Sequence, residues 1–347
     1  MNLAETVPVA LNRRGIQCAT PSVPSGSHRS GSLLARAQIF VIRCIAMCTA
    51  VAGLAIGVGA GPSTAKDPLP VPYSYFAGVS AQLTDPGAAP PGSNDWTCEP
   101  SAAHPNPVVL VHGFLGTMTS AWQTLSPLLS NNGFCVFALT YGVTATSQVG
   151  AMAPIERSAA EVGQFVDRVR SATGADQVDL VGHSIGATVP FYYYNYLGGA
   201  SKVRHHVGLA PWYRGTTQLG AAPTLLALMG MPGIGPAVLE QCGSCNQALV
   251  GSPFIEVLNA NAAVAPNISF TNIMTRNEEI ATPYTTGYLD GPNVTNIVVQ
   301  ERCSLDNTDH FQMPYDPIVA QYVLNALDPA HAIEPQCRPV LPFVGAI

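Results

Sequence analysis

Short apolar runs alternate with longer amphipathic stretches along the chain from residue 107 onward. The runs are rich in Val, Ile and Leu, which is typical of strands that are buried on both faces of a parallel sheet. On this pattern we predict six strands: Pro107–Val111, Cys135–Leu139, Gln177–Val181, Val203–Ala210, Ile268–Thr275 and Val294–Val299.

Helical periodicity marks several of the stretches between these runs. In Pro154–Thr173, apolar residues recur at spacings of three and four, which places them on one helix face. Further helices are predicted after a capping box of Ser120 and Gln123, at Ala187–Leu197, and at Pro317–Leu327. Because strands and helices alternate and no internal repeat is visible, we predict one α/β domain, with a mostly parallel central sheet and helices on both faces.

The predicted strand Gln177–Val181 runs directly into Gly182-His183-Ser184-Ile185-Gly186, which matches the motif G-x-S-x-G. Between a strand and a helix, this motif holds its serine on a tight turn, and the two glycines avoid collisions with neighbouring backbone. We therefore predict that Ser184 is a nucleophile and that the Ile185 N–H lies beside any oxyanion formed there. A chance match in a chain with 32 glycines is the alternative, and the strand before the motif argues against it.

The predicted strand Pro107–Val111 ends in another glycine-rich sequence, His112-Gly113-Phe114-Leu115-Gly116. A turn of this kind leaves backbone N–H groups free to point into a cleft, which suits an oxyanion hole. An ordinary strand-to-helix turn is the alternative interpretation.

A serine nucleophile needs a histidine base, which in turn needs a carboxylate to orient it. Where this motif lies on an α/β sheet, the order along the chain is serine, acid, histidine. After Ser184, His205 and His206 lie within a predicted strand, and His331 follows the last helix. His310 lies in the loop between the last strand and the last helix, from which it can reach the serine, and we predict that it is the base.

The acid is expected after the strand Ile268–Thr275, where Glu278 and Glu279 are adjacent. Consecutive residues leaving a strand point in different directions, so only one of the two can readily reach His310. Three aspartates further along are weaker candidates, because turn residues and close loop neighbours of the histidine more often face solvent. They are Asp290, Asp306 and Asp309.

Residues 1–65 differ from the rest of the chain in containing five arginines, a single acidic residue and an apolar run from Cys44 to Gly61. This is the pattern of a signal peptide with an extended n-region, and it predicts a secreted protein, extracellular or in the cell envelope. Val58-Gly59-Ala60 and Ser63-Thr64-Ala65 offer cleavage sites. A retained signal anchor is the alternative, since about 18 apolar residues can span a bilayer.

Removal of this segment changes the formal net charge from −6 to about −10, because five arginines and Glu5 are lost. Such an acidic chain is unsuited to binding nucleic acid. Six cysteines remain, an even number that suits the disulfide framework of an exported protein. Cys242-Gly-Ser-Cys245 also resembles half of a redox or zinc motif, but no second ligand pair accompanies it, and we predict a short structural bridge.

Five stretches of the sequence resemble the secreted bacterial class 2 triacylglycerol lipases of the actinobacterial type. They are VVLVHGFLG, VDLVGHSIG, KVRHHVGLAP, TNIMTRNEEIATPY and SLDNTDHFQMPYDPIVAQYVLNALDP, and the resemblance extends from about Asn94 to Pro335. It implies an α/β-hydrolase fold in one catalytic domain over residues 66–347, preceded within that domain by an arm at residues 66–106. Because this arm is rich in Pro, Gly, Ala and Ser, we expect it to be extended over the surface.

The resemblance also implies a role for each candidate residue. Ser184 corresponds to the nucleophile, His310 to the base, and Glu278 to the acid, while Phe114 and Ile185 correspond to the oxyanion N–H donors. The family usually has aspartate at the acid position and a polar residue after the serine, so Glu278 and Ile185 are departures. Three disulfides are implied: Cys98 to Cys135, Cys242 to Cys245, and Cys303 to Cys337.

These inferences predict a secreted serine ester hydrolase, a triacylglycerol lipase or carboxylesterase that works through an acyl-enzyme. Its substrates would be lipids or other esters, including those presented at a lipid–water interface. The chemistry needs no cofactor and no metal, and no stable protein partner is implied. The alternatives are an extracellular acyltransferase with the same triad and a non-catalytic binding protein on the same fold, and the intact serine, acid, histidine order argues against the second.

The stretch Pro211–Pro253 is apolar and rich in glycine. It is predicted to line or to cover an acyl groove, with packing inside the core as the alternative. Its large apolar residues are Leu225, Leu226, Leu228, Met229, Met231, Ile234, Val238 and Leu239.

Overall fold

Six parallel strands form the central sheet of the protein. The computed structural model describes residues 67–145, 147–218, 240–260 and 264–347. Within them the sheet strands are β1 Val108–Val111, β2 Val136–Leu139, β3 Val178–His183, β4 Val203–Leu209, β5 Ser269–Met274 and β6 Val294–Val298. Their spatial order is β2-β1-β3-β4-β5-β6, and every neighbouring pair is parallel. The predicted α/β fold with a parallel sheet is therefore confirmed.

Helices connect the strands and follow the last of them. They are α1 Tyr75–Thr84, α2 Met118–Ala121, α3 Leu125–Asn131, α4 Ile155–Thr173, α5 Ile185–Tyr196, α6 Pro253–Ala260, α7 Val299–Arg302 and α8 Pro317–Leu327. Two short antiparallel strands, β7 Val340–Leu341 and β8 Gly345–Ala346, form a hairpin at the end of the chain. In the part of the chain that the structure describes, no helix is both long enough and apolar enough to cross a bilayer.

The sheet is covered on both faces, and β1 illustrates how its residues divide between them. Val109 and Val111 belong to a core cluster that contains the apolar face of α4 and much of α5. Val108 and Leu110 belong to a second cluster that contains residues of α3 and α8. All four valine and leucine side chains are fully buried, because successive residues of a strand point to opposite faces and both faces carry helices.

The strand order reverses direction between β1 and β3. The chain passes from β1 outward to β2, then returns to the other side of β1 and continues from β3 to β6. In open parallel sheets, ligands bind outside the carboxyl ends of the strands at such a reversal point. A ligand-binding site is therefore expected at the segments that follow β1 and β3.

The segment expected to be an extended arm contains a helix. Ser74 caps α1 by accepting a hydrogen bond from the Phe76 N–H. The predicted capping box at Ser120 and Gln123 is also wrong: Thr117 caps α2, with Ser120 as its partner at the third helical position. Ser120 lies inside α2, where its N–H donates to Thr117 Oγ1 at 3.0 Å, so it cannot be the N-cap residue.

Three disulfides join the pairs that the resemblance implies. Cys98–Cys135 links the N-terminal segment to the start of β2, Cys242–Cys245 closes a short loop, and Cys303–Cys337 links the end of α7 to the C-terminal tail. The predicted signal peptide at residues 1–65 lies outside the described residues, as do the apolar residues 225–239 of the predicted groove or cover.

The packing of α1 depends on a glycine at its centre, which gives a test of how firmly this helix is held. A Cβ atom at Gly78 would come well under 3.0 Å from the Ser120 carbonyl oxygen and from the Tyr315 hydroxyl. We expect Gly78→Ala to lower the free energy of unfolding by about 1–3 kcal/mol, since the backbone must shift. The midpoint of thermal unfolding should fall by several degrees, and Ser80→Ala on the exposed side of α1 should change it little. An equal effect of both substitutions would contradict this account of the packing.

Candidate active site

Ser184 lies on a strained turn between β3 and α5. Its backbone has φ 57° and ψ −126°, a combination that residues with a side chain rarely adopt. The turn is possible because both glycines of the motif make close approaches: a Cβ at Gly186 would come under 3.0 Å from the Val111 and His112 carbonyl oxygens, and one at Gly182 equally close to Gly186. The Ser184 N–H donates to the Leu209 carbonyl at 2.8 Å, which fixes the turn against β4.

His310 and Glu278 are in direct contact. His310 Nδ1 lies 2.8 Å from one carboxylate oxygen of Glu278 and 2.9 Å from the other. Since Nδ1–H donates to the carboxylate, the neutral imidazole carries no proton on Nε2 and can accept one there. His310 and Ser184 are both about 3% exposed, and their side chains line the same cavity.

The Glu278 carboxylate is held by the backbone as well as by the histidine. Its Oε1 accepts hydrogen bonds from the Ile280 N–H at 2.8 Å and the Ala281 N–H at 2.7 Å. The glutamate side chain, one methylene longer than the usual aspartate, therefore folds back against the loop that carries it. Three donors thus contact the carboxylate, and the Glu278 side chain is only 2% exposed.

The loop that carries Glu278 and the loop that carries His310 are joined to each other. The Thr275 hydroxyl donates to the Thr308 carbonyl at 2.7 Å, and Asn277 forms a parallel bridge with Asp309. The two side chains thus meet because their backbones are hydrogen-bonded together, and the ion pair does not have to hold the loops by itself.

Glu279 contacts the same histidine from the backbone side. Its Oε2 accepts the His310 N–H at 3.2 Å, while its Oε1 is buried without a hydrogen-bond partner. Burial raises the pKa of Glu279 above its usual value, and the neighbouring carboxylates of Glu278 and Asp309 add to this effect. Of the two adjacent glutamates, only Glu278 reaches the ring, but both are bonded to His310.

His183 is a site residue that the sequence reasoning did not single out. Its Nε2–H donates to the His310 carbonyl at 2.9 Å, and the two imidazole rings are 4.7 Å apart. Burial lowers the pKa of His183 well below its usual value, and the nearby His310 lowers it further. His183 therefore stays neutral and holds the backbone of the other histidine. Its place inside the G-x-S-x-G motif was the available signal.

The sequence after β1 forms a tight turn beside the serine. The Gly116 N–H donates to the Gly113 carbonyl at 3.1 Å, which makes Phe114 and Leu115 the two central residues, and Leu115 has a positive φ of 57°. Both side chains line the cavity. As the first residue of α5, Ile185 has a backbone N–H without an intrahelical acceptor.

His112 holds this turn in place and was also missed. Its Nδ1–H donates to the Gly113 carbonyl at 2.8 Å, and its ring stacks on Tyr141 with 4.5 Å between centroids. The Tyr141 hydroxyl donates to the His112 carbonyl at 2.8 Å. Burial lowers the pKa of His112 to about 4, so the ring is neutral near pH 7 and serves as a fixed hydrogen-bonding group.

The remaining candidate histidines are engaged elsewhere. His205 Nδ1 is hydrogen-bonded to Asp179 at 2.8 Å, near the amino-terminal ends of β4 and β3. His206 is buried and hydrogen-bonded to two tyrosines, Tyr194 and Tyr213. His331 is exposed and bonds to Asp328. None of them lines the cavity that Ser184 shares with His310.

The candidate aspartates likewise do not contact the histidine ring. Asp290 is 93% exposed and pairs with Arg214. Asp306 and Asp309 are buried, contrary to the expectation that they face solvent, because they accept backbone hydrogen bonds from Thr308 and Gln312. Both aspartates stabilise the loop that carries His310, and neither takes part in the hydrogen bond between His310 and Glu278.

The cavity that these residues line has a volume of about 550 Å³ and lies outside the carboxyl ends of β1 and β3. The serine, the histidine and the turn after β1 line it together. Among the described residues, no group of three or more His, Cys, Asp or Glu side chains is arranged to hold a metal ion. The arrangement provides a hydroxyl, an imidazole oriented by a carboxylate and an apolar binding space.

Comparison with known structures gives distant matches to lipases and related proteins. Aspergillus fumigatus lipase B has 16% identity and a TM-score of 0.49 over 72% of this chain, and the match spans 57% of that protein's length. The mature Bacillus licheniformis lipase BlEst2 has 15% identity and a TM-score of 0.48, with 70% of this chain and 97% of that one covered. A lipase-esterase related protein from Clostridium acetobutylicum has 15% identity and a TM-score of 0.41, with coverage of 68% and 97%.

The sequence profile of the lipase (class 2) family matches residues 105–323, which is more than half of the chain and includes Ser184, Glu278 and His310. The six-stranded parallel sheet, the helices on both of its faces and the serine turn after β3 are those of an α/β-hydrolase fold. The chain therefore belongs to the class 2 lipase family of carboxylic ester hydrolases.

Proposed function

We propose that this protein is a secreted ester hydrolase that cleaves lipid or other carboxylic esters with a triad of Ser184, His310 and Glu278. The observation that carries the proposal is the 2.8 Å contact of His310 Nδ1 with Glu278, in a histidine that lines the same cavity as a serine on a strained turn. A base oriented by a buried carboxylate and a nucleophile on a tight strand-to-helix turn are the two elements that acyl transfer requires.

In the first half of the reaction, His310 Nε2 takes the proton from Ser184 Oγ as that oxygen attacks the ester carbonyl. The C–O bond to the alcohol breaks in the second step, and the imidazolium returns its proton to the departing alkoxide. Glu278 stabilises the imidazolium through the charge-assisted bond to Nδ1. Its two bonds from backbone N–H groups keep the carboxylate in place while that charge forms and disappears.

The oxyanion that forms on the ester carbonyl needs donors of its own. We assign this role to the backbone N–H groups of Phe114 and Ile185. Ile185 begins α5, where the helix dipole favours negative charge, and Phe114 lies in the turn fixed by His112. One such donor typically lowers the barrier by about 3 kcal/mol.

Hydrolysis of the acyl-enzyme repeats the same steps with water as the nucleophile. His310 deprotonates the water, the oxyanion forms again, and Ser184 leaves as its own proton is restored. The same machinery would transfer the acyl group to an alcohol if one reached the acyl-enzyme before water. A hydrolase and an acyltransferase are therefore distinguished by the acceptor and not by the triad.

The proposed export is supported by the three disulfides, since such bonds persist in oxidising compartments outside the cytosol. We propose that residues 1–65 are a signal peptide and that the mature protein acts outside the cell or in its envelope.

The proposed activity is tested with a fluorophosphonate probe and with p-nitrophenyl esters of increasing chain length. We expect the probe to label Ser184, and Ser184→Ala to abolish both labelling and turnover, because the proposed nucleophile is then missing. In Ser120→Ala, which changes the other serine found among the described lining residues, the label should stay on Ser184.

Peptide mapping of the labelled protein reads the result directly. Label on another residue, or undiminished turnover by Ser184→Ala, would contradict the nucleophile assignment. Emulsified triglyceride tests whether lipid esters are accepted, and an added alcohol acceptor tests for acyl transfer. Preferential formation of a new ester in water would identify a transferase, and an absence of both labelling and turnover would identify a binding protein.

The assignment of the acid is tested with an isosteric pair of substitutions. Glu278→Gln should lower kcat by on the order of 10³ to 10⁴, because the amide cannot stabilise the imidazolium. Glu279→Gln should lower kcat by less than about 10-fold, since an amide oxygen can still accept the His310 N–H. Glu278→Asp should retain part of the activity.

Circular dichroism and thermal unfolding show whether each variant keeps its fold. The acid would be misassigned if Glu279→Gln were the crippling substitution and Glu278→Gln were nearly silent with its fold intact.

Export is tested on the protein recovered from a culture that produces the full chain. We expect intact-mass measurement to give a first residue between Gly61 and Lys66, and thiol titration under denaturing conditions to find no free cysteine. A mature protein that keeps the apolar run at residues 44–61, or that carries free thiols, would rule out cleavage and oxidation outside the cytosol.

A further inference from the structure

One face of α1 lines the cavity that contains Ser184. Its lining residues are Tyr75, Val79, Gln82 and Leu83, at intervals of four, three and one. Residues with this spacing fall on one side of a helix. The segment that was expected to be a surface arm therefore forms one wall of the cavity that Ser184 and His310 also line.

The surface that α1 presents there is mainly apolar and is incompletely covered. Leu83 is 81% exposed at the end of the helix, and Leu115 of the turn after β1 is 52% exposed. Val79 lies one helical turn before Leu83 on the same face and is partly buried. Exposed leucines on the rim of a cavity provide a surface that a hydrocarbon chain would cover favourably when it binds.

Hydrogen bonds attach this wall at both ends of the helix. At its start, the Tyr75 N–H donates to Gln312 Oε1 at 3.0 Å, two residues from His310. At its end, the Thr117 hydroxyl donates to Gln82 Oε1 at 2.5 Å. These contacts join α1 to the loop of the catalytic histidine and to the turn after β1.

Aromatic contacts add to these attachments. The Tyr75 ring packs edge-on against Phe311 and Tyr315 at centroid distances of 5.9 and 5.8 Å. Phe311 directly follows His310 in the chain. Moving α1 aside would break these contacts. Its position therefore limits the size of the group that fits beside it.

We propose that α1 is the wall of the acyl-binding site and that Val79 and Leu83 determine the length of the acyl chain that is accepted. This inference rests on the proposed function, because the length is measured outward from the Ser184 ester bond. The acyl group stays attached to Ser184 between the two halves of the reaction, whereas the alcohol leaves after the first. The apolar cavity that Ser184 lines therefore suits the acyl part of the substrate, a medium or long aliphatic chain.

The test compares two tryptophans introduced at adjacent positions of α1. Val79→Trp would place a bulky ring in the cavity, whereas Ser80→Trp would place the same ring on an exposed position outside the set of lining residues. The measured quantity is kcat/KM for p-nitrophenyl laurate divided by kcat/KM for p-nitrophenyl butyrate. We expect Val79→Trp to lower this ratio by at least about 10-fold, the usual effect of closing a hydrophobic pocket to part of a substrate. Ser80→Trp should leave the ratio at the wild-type value.

Leu83→Ala provides a second variant that cannot clash with anything. If long chains cover the exposed rim, it should lower the same ratio by about 5-fold, because a lauroyl chain loses apolar contact with Leu83 while a butyryl group is too short to cover the rim. Thermal unfolding of each variant shows whether α1 remains in place.

A second series of esters, with a butyryl group and alcohols of increasing length, distinguishes the acyl from the alcohol side. The assignment is overturned if Val79→Trp and Leu83→Ala leave the laurate-to-butyrate ratio unchanged, or if they change selectivity only in the alcohol series. In both cases a wild type that hydrolyses the esters and is labelled at Ser184 leaves the proposed function standing. A wild type inactive toward every ester overturns the proposed function and this assignment together.

Discussion

The close approach of α5 to the end of β1 is the constraint on which the rest of the site depends. Gly186 lies so near the Val111 and His112 carbonyl oxygens that no side chain fits at its position. Because of this contact the chain turns sharply at Ser184, and the backbone of Ser184 is strained. It also brings the serine beside the turn after β1. The proposed nucleophile and the proposed oxyanion donors are thus neighbours because two parallel strands are neighbours.

The surroundings of His310 illustrate how buried polar groups are stabilised in such a site. The ring is bonded to Glu278, its N–H donates to Glu279, and its carbonyl accepts from His183. Each of these groups would be costly to bury alone. Together they fix both the backbone and the ring of the histidine, so its orientation does not depend on one ion pair in solvent. His183 remains neutral, which avoids placing a second positive charge beside the imidazolium that catalysis would create.

The N-terminal segment forms part of the binding space. The segments that follow the strands line one part of the cavity, and α1, from a segment before the first strand, adds a wall. Its attachment to Gln312 and to Thr117 places it between the histidine loop and the turn after β1. Variation in this helix can therefore alter the space for a substrate without disturbing the groups that react with it.

The features that depend on local patterns could be predicted from the amino-acid sequence. Runs of Val, Ile and Leu predicted the six parallel strands because such runs suit burial on both faces, and the bounds of the last helix, Pro317–Leu327, agree with those of α8. The motif around Ser184 predicted its turn because the steric requirement for glycine is met within five residues. The choice of Glu278 over Glu279 came from resemblance, since both follow β5 equally well.

Contacts between residues that are distant along the chain could not be predicted in this way. His183 and His310 are 127 positions apart, and Glu279 and His310 are 31 apart, so no local pattern reveals their hydrogen bonds. The expectation of an extended arm was wrong at α1, because the helix is held by partners such as Gln312 that its own composition does not indicate. The capping box lies at Thr117 and not at Ser120, because the helix begins three residues earlier than predicted. Local steric requirements and burial can be predicted from short stretches of sequence. These contacts cannot, because they form only when the sheet brings its loops together.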